Sequence, residues 1–190
     1  MLKEIITEAT DAVVAAIKGA DDIMTAITST VKNQVVNVLK GGGEVTTTGI
    51  ETVSGVASGA VRGAGQMGAS LTDAAKQVMH GAITGVSEVG GDVLMATREA
   101  ARGVIQGAAE TGGDVAGVAV SAVEGAILTA GEVGADTSAA TKAAVGGVLD
   151  AAGDLGGDAA GKVRSALLAS VTLPRDVVES AIKGHDTKEK

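Results

Sequence analysis

The chain has 190 residues, a formal net charge of −8, 29 glycines, one proline, no cysteine and no aromatic residue. The missing cysteines exclude a disulfide framework, a thiolate metal site and a thiol nucleophile. The missing aromatics leave a core to be built from many close contacts among Ala, Val, Ile and Leu. Residues 103–161 carry eight acids and the single base Lys142, a balance that repels phosphate backbones and argues against nucleic-acid binding.

The start, MLKEIITEATDAVV, holds Lys3, Glu4, Glu8 and Asp11, which does not fit the charge-free apolar stretch of a signal peptide. No charge-free window reaches the ~20 residues of a spanning helix. The expectation is a cytoplasmic protein without a transmembrane segment, with export by a non-classical route left open.

A long N-terminal helix is predicted over residues 1–40, followed by a break over 41–48, where three glycines precede β-branched threonines in GGGEVTTTG. Residues 49–171 form a glycine-rich helical repeat region. Thr172-Leu173-Pro174 then reads as a cap and first turn, because proline near a helix start loses no hydrogen bond. It opens a short helix over 172–184, with residues 185–190 as a solvated tail.

The repeat has a period of 22. EVGGDV at 88–93 returns as ETGGDV at 110–115, then as EVGADT at 132–137 and DLGGDA at 154–159. Blocks counted from Ala15 run to Lys190 without an insertion, eight in all. Position 3 is aliphatic in every block: Ile17, Leu39, Val61, Ile83, Ile105, Ile127, Leu149 and Val171. Position 8 is acidic in seven, and position 18 carries Lys32, Lys76, Arg98, Lys142 and Arg164. Twenty-two residues are two elevens, a period that keeps one face in phase along a nearly straight helix. The fold class expected is all-α: eight 22-residue (2 × 11) amphipathic Gly/Ala-rich helical repeats.

Two packings follow. Position 12 is Thr48, Ser70, Asp92, Asp114, Asp136, Asp158 or Ser180 in seven blocks; all are N-cap residues, and the glycines before them suit a left-handed helix end. Thr48 with Glu51 and Ser70 with Asp73 resemble capping boxes. This favours an up-and-down stack of helices with turns at Thr48, Ser70, Asp92, Asp114, Asp136 and Asp158. The constant block length and unbroken apolar phase favour instead long glycine-zipped helices, since turns tolerate insertions and helices do not.

Chemistry is sparse. The pairs Glu88/Asp92, Glu110/Asp114, Glu132/Asp136 and Asp154/Asp158 could collect a divalent cation, against the plainer reading of one cap and one solvated acid beside a position-18 cation. Gly41-Gly42-Gly43 lacks the strand before it and the Gly-Lys-Ser/Thr after it that a phosphate loop needs. His80 and His185 stand alone. No catalytic residue, cofactor site or metal site is assigned. The GxxxG steps Gly55-Gly59-Gly63, Gly81-Gly85, Gly103-Gly107, Gly113-Gly117 and Gly153-Gly157-Gly161 mark faces where helices approach closely, within one chain or between chains.

The leading expectation is therefore a non-catalytic structural protein that self-associates through Gly/Ala helix faces into a homo-oligomeric scaffold, stalk or filament. The alternative is a coat for an apolar or lipid surface, or a stress or desiccation protectant. Exchangeable apolipoproteins, synuclein-like proteins and group 3 late-embryogenesis proteins have similar eleven- and 22-residue amphipathic repeats, a resemblance of period and amphipathicity alone. The chain lacks the Lys-rich polar face and aromatic anchors that such lipid binders carry, and its mean hydropathy of +0.32 suits a permanently buried apolar face.

Overall fold

A computed structural model describes residues 2–19, 22–41 and 47–188. These residues are helical, without strands: α1 (Leu2–Lys18), α2 (Ile23–Gly41), α3 (Thr47–Glu51), α4 (Val53–Gln66), α5 (Leu71–Glu88), α6 (Val93–Glu110), α7 (Val115–Glu132), α8 (Thr137–Asp154), α9 (Ala159–Ala169) and α10 (Arg175–Lys188). The short α3 runs directly into α4. The four central helices, α5 to α8, each span 18 residues and begin at Leu71, Val93, Val115 and Thr137.

The helices pack as a stack in two layers. One layer runs α1, α4, α6, α8, α10; the other runs α2, α5, α7, α9. Each helix packs most heavily on the helix before it in its own layer and less heavily on its chain neighbours. The up-and-down path makes helices within a layer parallel. The core lies between the layers and along the rows within them. Ile83, Ile105 and Leu149 are fully buried there, and each such side chain stabilises the fold by ~1.5–3 kcal/mol. Val171, last of the aliphatic row read in the sequence, is instead 96% exposed, because α9 ends at Ala169.

The N-terminal segment is not one helix. It divides into α1 and α2, which pack on each other. The cause is a cap displaced by four residues. The first block has Ala26 where others have a capping side chain, and Asp22 takes the role: its Oδ1 accepts from the amides of Met24 (3.0 Å) and Thr25 (3.2 Å). The Thr25 hydroxyl donates to Oδ2 at 2.7 Å, and that bond, with those from the backbone, holds the Asp22 carboxyl below its ordinary range. Within the 41–48 break, α2 ends at Gly41 and α3 begins at Thr47, while 42–46 lie outside the described residues. At the other end α10 begins at Arg175 with Pro174 supplying the first accepting carbonyl, and it continues through Gly184 to Lys188. The helix expected over 172–184 is thus shifted, and most of the expected tail is helical. Thr172 does not cap it; its hydroxyl donates to Glu124 of α7.

Candidate functional site

The glycines divide by what surrounds them. A Cβ added at Gly59 would lie 2.3 Å from the Ile6 carbonyl oxygen, at Gly63 2.8 Å from that of Thr10, at Gly81 2.6 Å from that of Thr28, and at Gly85 3.0 Å from that of Lys32. At Gly103 and Gly107 the obstacles are the carbonyl oxygens of Ser54 (2.1 Å) and Ser58 (2.6 Å). In every case the obstacle belongs to the preceding helix of the same layer. These six glycines therefore seat one helix on the backbone of another within a single chain. Gly125, 3.0 Å from Lys76 Cα, and Gly147, 2.2 Å from the Arg98 oxygen, do the same. GxxxG spacing misses both because neither has a glycine four residues on or four residues back.

The other glycines of the GxxxG set behave differently. Gly55 is buried in α4. Gly113 faces a side-chain methyl of Leu71, Gly117 and Gly161 face the carboxylates of Asp114 and Asp158, and Gly153 and Gly157 face open space. The steps beginning at Gly113 and Gly153 reach into the turns, so they are not helix-packing faces.

The turns follow one plan. Gly68, Gly90, Gly112, Gly134 and Gly156 have φ between 71° and 74°. The residue after each of the first four donates to the carbonyl five residues back, as in Gly91 N to Val86 O at 3.0 Å. That is a Schellman end, for which glycine is favoured because a Cβ is strained at positive φ. Asp92, Asp114 and Asp136 then cap the next helix, each Oδ1 accepting two amides at 2.8–3.2 Å. Ser70 accepts weakly from Asp73 N at 3.4 Å. Asp158 occupies the cap position without a side-chain bond, and Thr48 lies inside α3 rather than before it.

The charged side chains bridge along the layers. Lys32 pairs with Glu88 (2.9 Å), Lys76 with Glu124 (2.6 Å) and His80 Nδ1 with Glu132 (3.3 Å) in the second layer. Arg62 pairs with Glu110 (3.1 Å), Arg98 with Asp150 (2.5 Å) and Arg102 with Asp154 (2.8 Å) in the first. The acid of each repeated pair that does not cap thus meets a basic side chain of the neighbouring helix, Lys32, Arg62, His80 or Arg102. Burial pushes the Glu124 carboxyl up, but hydrogen bonds from Lys76 and Thr172 outweigh it and hold the group below its ordinary range. Glu99 of α6 is the opposite case: burial raises it, against the pull of Arg102 and Arg98.

Among the described residues no three His, Asp or Glu side chains converge as metal ligands. Asp114 and Asp158 line one crevice of about 410 Å³, but Lys162 lies in it with them. One helix among the described residues, α7, is apolar and long enough to cross a membrane, and half of it is buried in the stack. No protein-family model and no curated protein matches the chain.

Proposed function

We propose that the chain is an array of eight 22-residue Gly/Ala-rich units serving as a non-catalytic structural protein, a rigid helical scaffold that associates with copies of itself. Its glycine faces are consumed within the chain, so the surface joining copies is a different one. The observation that carries the reading is the outer face of α7. Position 18 holds Lys32, Lys76 and Arg98 in other blocks, but in α7 it holds Val120, half-buried against the core. Position 4 holds Lys18, Lys40, Arg62, Thr84, Gln106, Asp150 and Thr172 elsewhere, but Leu128 in α7. Leu128 is 64% exposed, and on the adjacent α9 Leu168 is 37% exposed. An apolar side chain as exposed as Leu128, where the repeat otherwise places polar ones, marks a contact surface.

α1 exposes Lys3, Glu4, Thr7, Glu8 and Asp11, and α10 exposes Arg175, Asp176 and Lys183; neither polar face suits apolar stacking of copies into a filament. A surface coat fits less well, because each helix turns its apolar stripe onto its neighbours. The test is sedimentation velocity over a wide concentration range, on the native chain and on Val120→Lys/Leu128→Gln, which restores the residue classes of the other blocks. The native chain should associate with rising concentration, while the variant stays monomeric with unchanged helix content. A native chain monomeric throughout, or a variant that associates equally, would sink the proposal.

A further inference from the structure

The layer holding α4, α6 and α8 uses one seat repeatedly. Gly103 of α6 rests on the Ser54 carbonyl, and Gly147 of α8 rests on that of Arg98. Ser54, Arg98 and Lys142 succeed one another at steps of 44 residues. Lys142 is thus the next seat, and Gly146 its companion, as Ser58 is for Gly107. α10 packs there on α8, but it brings no glycine into contact: a Cβ at Gly184 would meet nothing within 4 Å. The last helix therefore stands off where earlier ones close down. The gap is a cavity of about 310 Å³ lined by Arg98, Lys142, Gly146, Ser180, Gly184 and His185.

Its lining is cationic in a chain whose overall charge is negative. Lys142 forms no ion pair among the described residues, unlike Lys32, Lys76 and Arg98 at the same block position. Arg98 bonds Asp150 through Nε (3.0 Å) and one terminal nitrogen (2.5 Å), which leaves further guanidinium donors free. The His185 side chain is only 9% exposed; its Nε2 lies 2.9 Å from Asp150 Oδ1, and its buried Nδ1 has no partner. Asp150 holds both neighbours, bonding Arg98 and lying 2.9 Å from His185 Nε2. An unpartnered buried polar atom costs free energy.

We propose that this cavity binds a small oxyanion, with the Lys142 ammonium, the Ser180 hydroxyl and the free Arg98 N–H groups as donors and His185 behind them. A carboxylate or a phosphate group satisfies the same donors, and the volume, at the low end of ligand sites, limits the ligand to a small one. The site is independent of self-association.

The experiment is an amide NMR titration of the full chain with inorganic phosphate, acetate and succinate in turn, at constant ionic strength against chloride. Binding should give saturable shifts confined to Lys142, Gly146, Ser180, Gly184 and His185, and the probe that saturates first identifies phosphate or carboxylate as the preferred group. Lys142→Ala should weaken binding at least tenfold. Gly146→Leu, which fills the cavity from α8, should abolish it. Lys142 is exposed and a Cβ at Gly146 approaches nothing nearer than Arg98 Cζ at 4.0 Å; dispersed spectra check that both variants keep the fold. No saturable shift with any of the three probes, or binding that survives both substitutions within twofold, overturns the proposal.

Discussion

Two adjacent glycines of α8 should respond in opposite directions to the same substitution. A Cβ at Gly147 would lie 2.2 Å from the Arg98 carbonyl oxygen and 3.1 Å from both its carbonyl carbon and Ala101 Cβ. A comfortable C···O approach is about 3.3 Å, so α8 must move off α6 by about 1 Å. A gap of that size forfeits about a quarter to a half of each dispersion contact along the seat. Overpacking costs about 1–3 kcal/mol, and because the obstacle is backbone rather than a flexible side chain, Gly147→Ala belongs at the upper end. Against this stands the gain in helix propensity, about 1 kcal/mol. A net loss of about 2 kcal/mol lowers Tm by about 4–8 °C in a chain of this size. At Gly146 the nearest atom is Arg98 Cζ at 4.0 Å, so Gly146→Ala keeps only the propensity gain and should raise Tm by about 2–4 °C. Thermal unfolding followed by far-ultraviolet circular dichroism measures both. If Gly147→Ala melts at or above Gly146→Ala, the close seating of helices is refuted.

Three further outcomes follow from the same geometry. Gly103→Ala, with 2.1 Å to the Ser54 oxygen, should match Gly147→Ala in sign and rough size. Asp114→Ala removes the acceptor for the Ala116 and Gly117 amides and should cost about 1 kcal/mol in denaturant unfolding. Glu99 has a folded pKa above its unfolded one, so its protonated form is favoured in the fold. Its burden on stability is absent below the unfolded pKa and grows as pH rises through the folded one. Glu99→Gln should therefore raise Tm at neutral pH and change little in acid; equal effects at both would contradict burial as the cause.

Much of the turn plan was legible. Asp92, Asp114 and Asp136 stand where an acid precedes an apolar run, and the glycine two residues before each has the positive φ that ends the helix before it. Those φ values decide for the stack over continuous helices, which the unbroken apolar phase could not do. The 22-residue period hid the partners. Each helix seats not on its chain neighbour but on the helix before it in its own layer, so Gly147 meets Arg98, 49 residues back. GxxxG spacing consequently included Gly153 and Gly157, which contact nothing, and omitted Gly125 and Gly147. The first helix break is hidden in the sequence because its cap, Asp22, lies off the block position used elsewhere. The last helix was cut short at Gly184 because a glycine with open space around it does not stop a helix held by its neighbours: His185 bonds Asp150 and Asp186 bonds Arg164.

The central claim is that the helix seats close within one chain. The ion pairs Lys32–Glu88 and Lys76–Glu124, at 2.9 and 2.6 Å, can be joined directly by a carbodiimide and read by mass spectrometry. Light and ¹⁵N-labelled chains would be unfolded together, refolded as a mixture and then coupled. Both cross-links should appear in all-light and all-heavy form alone. Cross-linked peptides pairing a light half with a heavy half, in the proportion random mixing gives, would place the seats between chains and contradict it.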